Sequence, residues 1–389
     1  MQFLENQFYT TAYSTQRLHK LALGDFGTLT SLGDDDLHTP ELDQAPAENL
    51  EAVVEVLLDH TNTNINIQRQ VTGLPTLPNV MPALPTMYTA DNQIDFLAQD
   101  KLMRDLVAQG IRGFVVMGTT GESSLVSFEE HEEAVERGIK TARQISQEIG
   151  EPIRIVAGAG ANATAEQKRL AHRSINMGAD ATLLLPPYYV REQSDANMIR
   201  HFWRALDEGP GIVYRVTSRT GREISEDIIR RLTQHPNFVG VKECDGRVRH
   251  LRELFDDTQE GHQIWSGEDG EVNRDASEGA FGSISVTANV HPELVLSAND
   301  NLAQDNRVRR AAEYLADITF KFGNPSTVHA IAEMVRQANG EDHVRGFRMP
   351  ARALILEQRE WLIRCLEKVG VTNVVNFEDG RIRNFDRMN

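Results

Sequence analysis

Lys242 closes the apolar run Phe238-Val239-Gly240-Val241 and is followed by Glu243-Cys244-Asp245-Gly246. A cation therefore stands at the carboxyl end of what reads as a buried strand. Two readings are open. Such a lysine can snorkel to solvent along its methylene stem, or its amine, desolvated and lowered in pKa, can attack carbonyl carbon. The second reading needs partners. Gly118-Thr119-Thr120-Gly121-Glu122-Ser123 is one candidate, because glycines such as Gly118 let backbone amides and threonine hydroxyls approach a small carboxylate. The same residues would also make a tight strand-to-helix turn. The GxxxxGK[ST] spacing of a phosphate loop is absent. Tyr188 and Tyr189 follow Pro186-Pro187, and Tyr214 opens the block Tyr214-Arg215-Val216-Thr217-Ser218-Arg219-Thr220-Gly221. Each tyrosine can be a packing residue or a proton donor, and Arg219 a paired surface group or an anion clamp. If these segments meet, they supply an amine, a hydroxyl relay and an anion cradle in one pocket.

The elements that must position them are short apolar runs alternating with helix-period segments. Candidate strands cover 80–84, 113–117, 153–157, 181–185, 211–216, 238–242, 263–265 and 282–286. Between them lie amphipathic stretches such as 96–109 and 197–206. Ser127-Phe128-Glu129-Glu130 and Thr164-Ala165-Glu166-Gln167 both have capping-box spacing. Eight such units indicate an α/β chain, a (β/α)8 TIM barrel, with a doubly wound open sheet as the alternative for the same string. In a barrel the chemistry belongs at the carboxyl ends of the strands, where every candidate above falls. Segments 292–304, 307–322, 327–338 and 351–368 read as additional C-terminal helices packed on the barrel or on another subunit. The organisation expected is an acidic, partly ordered extension over 1–77, a barrel over 78–300 and a helical region over 301–389. The extension holds eleven Asp or Glu against three Lys or Arg, with one candidate helix at 47–58.

A formal net charge of -17 over 389 residues argues against non-specific attraction to nucleic acid or acidic membranes. Two cysteines, Cys244 and Cys365, without CxxC or zinc spacing indicate neither a disulfide framework nor a metal site. No apolar run is long enough to cross a bilayer, and the amino terminus lacks a secretory signal. A soluble protein of the reducing cytoplasm is expected. The acidic first segment disfavours a plastid transit peptide, though a plastid remains open for a photosynthetic source.

Gly118 to Ser123, Pro187-Tyr188-Tyr189, the Tyr214 block, Gly240-Val241-Lys242-Glu243 and Gly282-Ser283-Ile284-Ser285-Val286-Thr287-Ala288-Asn289 resemble, in order, the signatures of dihydrodipicolinate synthase. That family lies among the pyruvate-dependent Schiff-base aldolases, with N-acetylneuraminate lyase. The likeness spans roughly 79–370, and Gly323-Asn324-Pro325-Ser326 resembles the family's Asn-Pro element. Val241-Lys242-Glu243-Cys244 and Ile264-Trp265-Ser266-Gly267 are similar to the plant-type form.

The resemblance implies that Lys242 forms a Schiff base with pyruvate, so no cofactor is expected, and that Thr119 and Tyr214 relay protons. Tyr189 would complete the relay from a neighbouring subunit of a homotetramer. Thr120 would hold the pyruvate carboxylate, Arg219 the carboxylate of aspartate semialdehyde, and the Ile284 carbonyl would line the opposite wall. Ser123, His131, Asn162, Glu166 and Tyr188 match positions that bind inhibitory lysine, with Phe128 where an aromatic ring or histidine is usual. Two residues depart from the pattern: Arg215 and Thr217 replace asparagine and proline beside Tyr214, which is expected to add a second cation near the mouth. Two other functions fit the same scaffold. One is an aldolase or dehydratase acting on a sugar-derived 2-oxo acid; the other is a non-catalytic ligand-sensing barrel.

Overall fold

The computed structural model describes residues 73–190, 194–258, 261–299, 306–338 and 348–368. The first half of the barrel runs β1 (Val80–Pro82), α1 (Phe96–Ala108), β2 (Gly113–Val116), α2 (Phe128–Ile149), β3 (Arg154–Gly158), α3 (Thr164–Met177) and β4 (Ala181–Leu184). It continues through α4 (Asp195–Leu206), β5 (Gly211–Arg215), the short α5 (Thr217–Thr220), α6 (Glu226–Leu232) and β6 (Phe238–Glu243). The last part is α7 (Val248–Thr258), β7 (Gln263–Ser266), α8 (Val272–Ser277) and β8 (Gly282–Ser285). All pairings within the eight-stranded sheet are parallel, and β1 lies beside β8. The ring closes where Ala83 bridges Val115 and the Leu84 amide donates to the Val115 carbonyl at 2.9 Å. That contact excludes the open sheet and makes the fold a (β/α)8 barrel.

Because each strand is covered on both faces, it reads as a nearly continuous apolar run rather than an alternating one. The two faces are nonetheless distinct, since successive side chains point in opposite directions. Met81, Val115, Val156, Leu183, Ile212, Tyr214, Val239, Trp265 and Ile284 fill the interior. Their neighbours Phe114, Val116, Ile155, Leu184, Val213 and Val241 pack beneath the helices. Burial of each such aliphatic or phenyl side chain contributes about 1.5–3 kcal/mol. Leu77 enters the interior, and the Pro78 carbonyl accepts from Trp265 Nε1 at 3.0 Å. Residues 1–72 of the acidic extension, with its candidate helix at 47–58, lie outside the described residues.

One expected capping box is present. Ser127 Oγ accepts from the Glu130 amide at 3.2 Å while the Glu130 carboxylate accepts from the Ser127 amide at 2.9 Å. The other is not: Ala163 occupies the cap of α3, and Thr164 lies inside the helix with its hydroxyl 3.0 Å from His201 Nδ1. Helix α4 starts earlier than expected because Ser194 accepts from the Asn197 amide.

Beyond the barrel come α9 (Pro292–Asn299), α10 (Asn306–Phe320), α11 (Ser326–Ala338) and α12 (Leu356–Lys368). Residues 351–355, expected as the start of the last helix, are irregular, and 300–304 lie outside the described residues. Leu294, Leu315, Ile331, Met334, Leu362 and Leu366 give these helices a core of their own. Arg348 fastens them to the barrel mouth: its guanidinium donates to Glu130 at 2.7 Å and to the Asn92 carbonyl at 2.9 Å, and lies over the Tyr88 ring.

Candidate active site

Lys242 stands on the inner face at the end of β6, paired in register with Tyr214 on β5 and Trp265 on β7. It is 5% exposed, so the snorkelling reading fails. Its Nζ lies 4.3 Å from the centre of the Tyr214 ring. Burial holds the Lys242 pKa below its ordinary value, and Arg219 adds to the depression while the carboxylates Asp269 and Glu268 oppose it. Burial also pushes the Tyr214 hydroxyl well above its usual range, so it rests protonated. The amine is thus biased toward its free base, and the phenol beside it retains a proton to give.

Glycine at 267 permits this arrangement. A Cβ there would stand 2.3 Å from Cys244 Sγ and 2.7 Å from Lys242 Cε, both well inside contact distance. Cys244 Sγ is 3.9 Å from the Tyr214 hydroxyl, and burial holds its thiol far above the usual range, so it is not a nucleophile at neutral pH. Asp269, buried beneath the site, accepts from the amides of Val286 and Thr287 at 2.8 Å each. It thereby ties the β7 loop to the turn after β8, the strand that carries Ile284 into the interior.

The glycine and threonine segment after β2 is a tight, largely buried turn that brings the Thr119 and Thr120 hydroxyls to the barrel mouth. Non-glycine residues at its two ends, Met117 and Glu122, have φ of 55° and 58°, a conformation that costs energy and accumulates at functional sites. The Gly118 carbonyl accepts from the Ser123 amide and the Thr119 carbonyl from the Glu122 amide. Thr120 is buried and accepts from Asn324 Nδ2 at 3.1 Å. Arg219, on α5, donates to the main-chain carbonyl of the same Asn324 at 3.3 Å. Thr119 and Arg219 line one cleft. Among the described residues no hydrogen bond joins Thr119 to Tyr214. Nor does one join either to Tyr189, which is 86% exposed on the loop after β4.

The Dihydrodipicolinate synthetase family model matches residues 76–368 of this chain. The chain belongs to that family. It is 32% identical over 332 residues to 4-hydroxy-tetrahydrodipicolinate synthase 2, chloroplastic, of Triticum aestivum, covering 84% of this chain and 81% of the relative. It is 31% identical to 4-hydroxy-tetrahydrodipicolinate synthase of Methanosarcina mazei, covering 75% of this chain and 98% of the relative. Among solved structures, dihydrodipicolinate synthase from Acinetobacter baumannii complexed with pyruvate superposes with a TM-score of 0.68 at 31% identity, over 76% of this chain and all of that one.

One expectation carried over from the family's pattern is corrected. Arg215 adds no cation to the mouth. It is the next residue after the inward-facing Tyr214, so it points outward with Val213. There it is 1% exposed and donates through Nη1 to Glu243 at 2.7 Å. Glu243 in turn faces outward because it follows the inward-facing Lys242. Its carboxylate also accepts from the amides of Asp245 and Arg247, which orders the turn directly after the lysine. Thr217 is a second strut between the same two loops: its amide and hydroxyl both donate to Asp245 at 2.8 Å.

Four of the five candidate lysine-site residues share one cleft of about 330 Å³ with Thr119 and Arg219. Ser123, Phe128, His131, Glu166 and Tyr188 line it. His131 donates from Nε2 to the Gly158 carbonyl at 2.9 Å, and burial lowers its pKa, which favours the neutral ring. Asn162 does not line the cleft. Its Oδ1 accepts from the amides of Tyr188 and Tyr189 at 2.8 and 3.2 Å, holding the tyrosine loop in place. Among the described residues no cluster of three or more His, Cys, Asp or Glu is arranged to hold a metal, and no helix is long and apolar enough to cross a membrane.

Proposed function

We propose that this chain condenses pyruvate with L-aspartate 4-semialdehyde through a Schiff base on Lys242, giving 4-hydroxy-tetrahydrodipicolinate in the route to diaminopimelate and lysine. The observation that carries the mechanism is the buried amine of Lys242, lowered in pKa and set against the Tyr214 ring. An unperturbed lysine near pKa 10.4 is only about 0.04% neutral at pH 7, so desolvation in the barrel mouth is what makes the nucleophile available. The amine adds to C2 of pyruvate, the carbinolamine oxygen leaves as water after protonation, and an iminium remains. That cation withdraws electrons from the methyl group, a proton departs, and the resulting enamine carbon bonds to the aldehyde carbon, whose oxygen takes up a proton. The amino group of the incoming substrate then attacks the iminium carbon, closes the ring and frees Lys242.

In this reading Tyr214 and Thr119 carry the protons and Tyr189 joins them from a neighbouring subunit. Its exposure in the isolated chain, and the absence of a Thr119–Tyr214 hydrogen bond, suit a relay that an assembled homotetramer completes. Thr120 and Gly118 hold the pyruvate carboxylate, Arg219 that of the semialdehyde, and the Ile284 carbonyl faces them. The names of the relatives at over 30% identity favour this reading over a sugar-derived 2-oxo acid and over a non-catalytic sensor. Lysine bound by Ser123, His131, Glu166 and Tyr188, with Asn162 holding the loop, would share a cleft with Arg219, which gives inhibition a short physical path. Both cysteines are free thiols, which suits a reducing compartment. The test is turnover of pyruvate with aspartate semialdehyde by the wild-type chain and by Arg219→Ala. Arg219→Ala should raise the KM for the semialdehyde while leaving that for pyruvate nearly unchanged; equal loss for both substrates, or none, contradicts the assignment.

A further inference from the structure

Asn324 belongs to the connection between α10 and α11, 204 positions along the chain from Thr120. It nonetheless touches Thr120 and Arg219, whose side chains are assigned to the two substrate carboxylates. Its side-chain Nδ2 donates to Thr120 Oγ1 at 3.1 Å, and its main-chain carbonyl accepts from Arg219 Nη2 at 3.3 Å. Thr120 is 2% exposed, and among the described residues its hydroxyl has no other hydrogen-bond partner. Asn324 Oδ1 is buried and has no partner among the described residues either.

A hydroxyl has one proton to donate and lone pairs to accept with. With the Asn324 amide on a lone pair, the Thr120 proton is available in another direction, which a substrate carboxylate requires. In the opposite arrangement the hydroxyl would donate to Asn324 and turn lone pairs on the anion. The geometry points to Asn324 as a positioning residue that aims the Thr120 hydroxyl proton at the pyruvate carboxylate and seats the Arg219 guanidinium through its own main-chain carbonyl. This inference rests on the roles given above to Thr120 and Arg219. It also assigns the helical region a part in the site, since the barrel alone leaves both anion holders without their common support.

Side chain and main chain then have separable effects. Borohydride trapping of the Lys242 adduct over a range of pyruvate concentrations reads the first; the semialdehyde KM reads the second. Asn324→Ala should raise the half-saturating pyruvate concentration about tenfold, the size of one lost orienting hydrogen bond. It should leave the semialdehyde KM within about twofold, because the main-chain carbonyl remains. Asn324→Asp should be worse by about tenfold again, since its carboxylate takes the Thr120 proton and repels the substrate. Asn324→Ala placed on Thr120→Ala should add nothing to the pyruvate effect.

Melting temperatures accompany each variant, and Asn324→Gln, which displaces the amide by one methylene, replaces Asn324→Ala if the latter does not fold. If Thr120→Ala weakens pyruvate while Asn324→Ala and Asn324→Asp do not, the inference is overturned and the Thr120 assignment stands. If both KM values rise together with a lowered melting temperature, Asn324 is structural only. If Thr120→Ala itself leaves pyruvate saturation unchanged, the Thr120 assignment fails and the inference falls with it.

Discussion

Replacing Arg215 with alanine should cost stability and spare substrate selection, the opposite of what a cation at the mouth would do. Arg215 and Glu243 are each 1% exposed and 2.7 Å apart. Removing one member of such a buried pair costs about 3–5 kcal/mol, because the other charge is left without compensation. Glu243 retains the amides of Asp245 and Arg247, so the lower end, about 3 kcal/mol, is expected. The loss has a pH signature. Burial already raises the Glu243 pKa, and Arg215 opposes that rise. Without the guanidinium the folded-state pKa goes higher still, above its unfolded value. A carboxyl raised on folding contributes stability below its unfolded pKa and loses it as pH rises through the folded one. The deficit of Arg215→Ala should therefore be full at about pH 8 and shrink toward about pH 5, as Glu243 takes up a proton. Urea unfolding followed by circular dichroism, at one fixed protein concentration because assembly contributes to stability, measures it. Arg215→Met with Glu243→Leu should recover most of the loss, since no buried charge remains. A loss below about 1 kcal/mol, joined to a raised semialdehyde KM, would refute the outward placement of Arg215.

Gly267→Ala places a Cβ 2.7 Å from Lys242 Cε, and a displacement of the order of 1 Å at the reacting group should lower kcat about a hundredfold while circular dichroism stays unchanged; unaltered kcat would remove the close-approach argument. The rate of adduct formation should rise with pH and level off below the ordinary lysine value, because burial lowers the Lys242 pKa; a profile that climbs undiminished to about pH 10.4 would contradict the desolvated amine. Free lysine should inhibit the wild-type chain, and Glu166→Gln should weaken that inhibition with little change in uninhibited turnover; identical inhibition curves would exclude Glu166 from the ligand.

The barrel was readable because parallel strands covered on both faces appear as apolar runs, and all eight runs fall on observed strands to within a residue or two. Lys242, Tyr214 and the threonine loop were readable for a related reason: each lies near or just beyond the carboxyl end of such a run, where barrel chemistry is concentrated. The outward face of Arg215 is also legible in the sequence. Side chains alternate along a strand, so a residue beside the inward Tyr214 must face outward, and its partner Glu243 stands in the same relation to Lys242. The capping-box pattern at Thr164 was a genuine ambiguity, since the threonine hydroxyl found His201 instead of a backbone amide. The role of Asn324 had no local signal at all. Nothing in the spacing of residues 204 positions apart tells that one amide will meet one hydroxyl. Gly267 looked like part of a motif, and only the distances to Lys242 and Cys244 give the reason it must lack a side chain.

The central claim is that the Lys242 amine is the nucleophile, and it is tested most directly by mass spectrometry of the chain incubated with pyruvate and borohydride. The account predicts one reduced pyruvate adduct per chain, located by peptide mapping at Lys242 and absent from Lys242→Ala. An undiminished adduct in Lys242→Ala, or none in the wild-type chain, would contradict it.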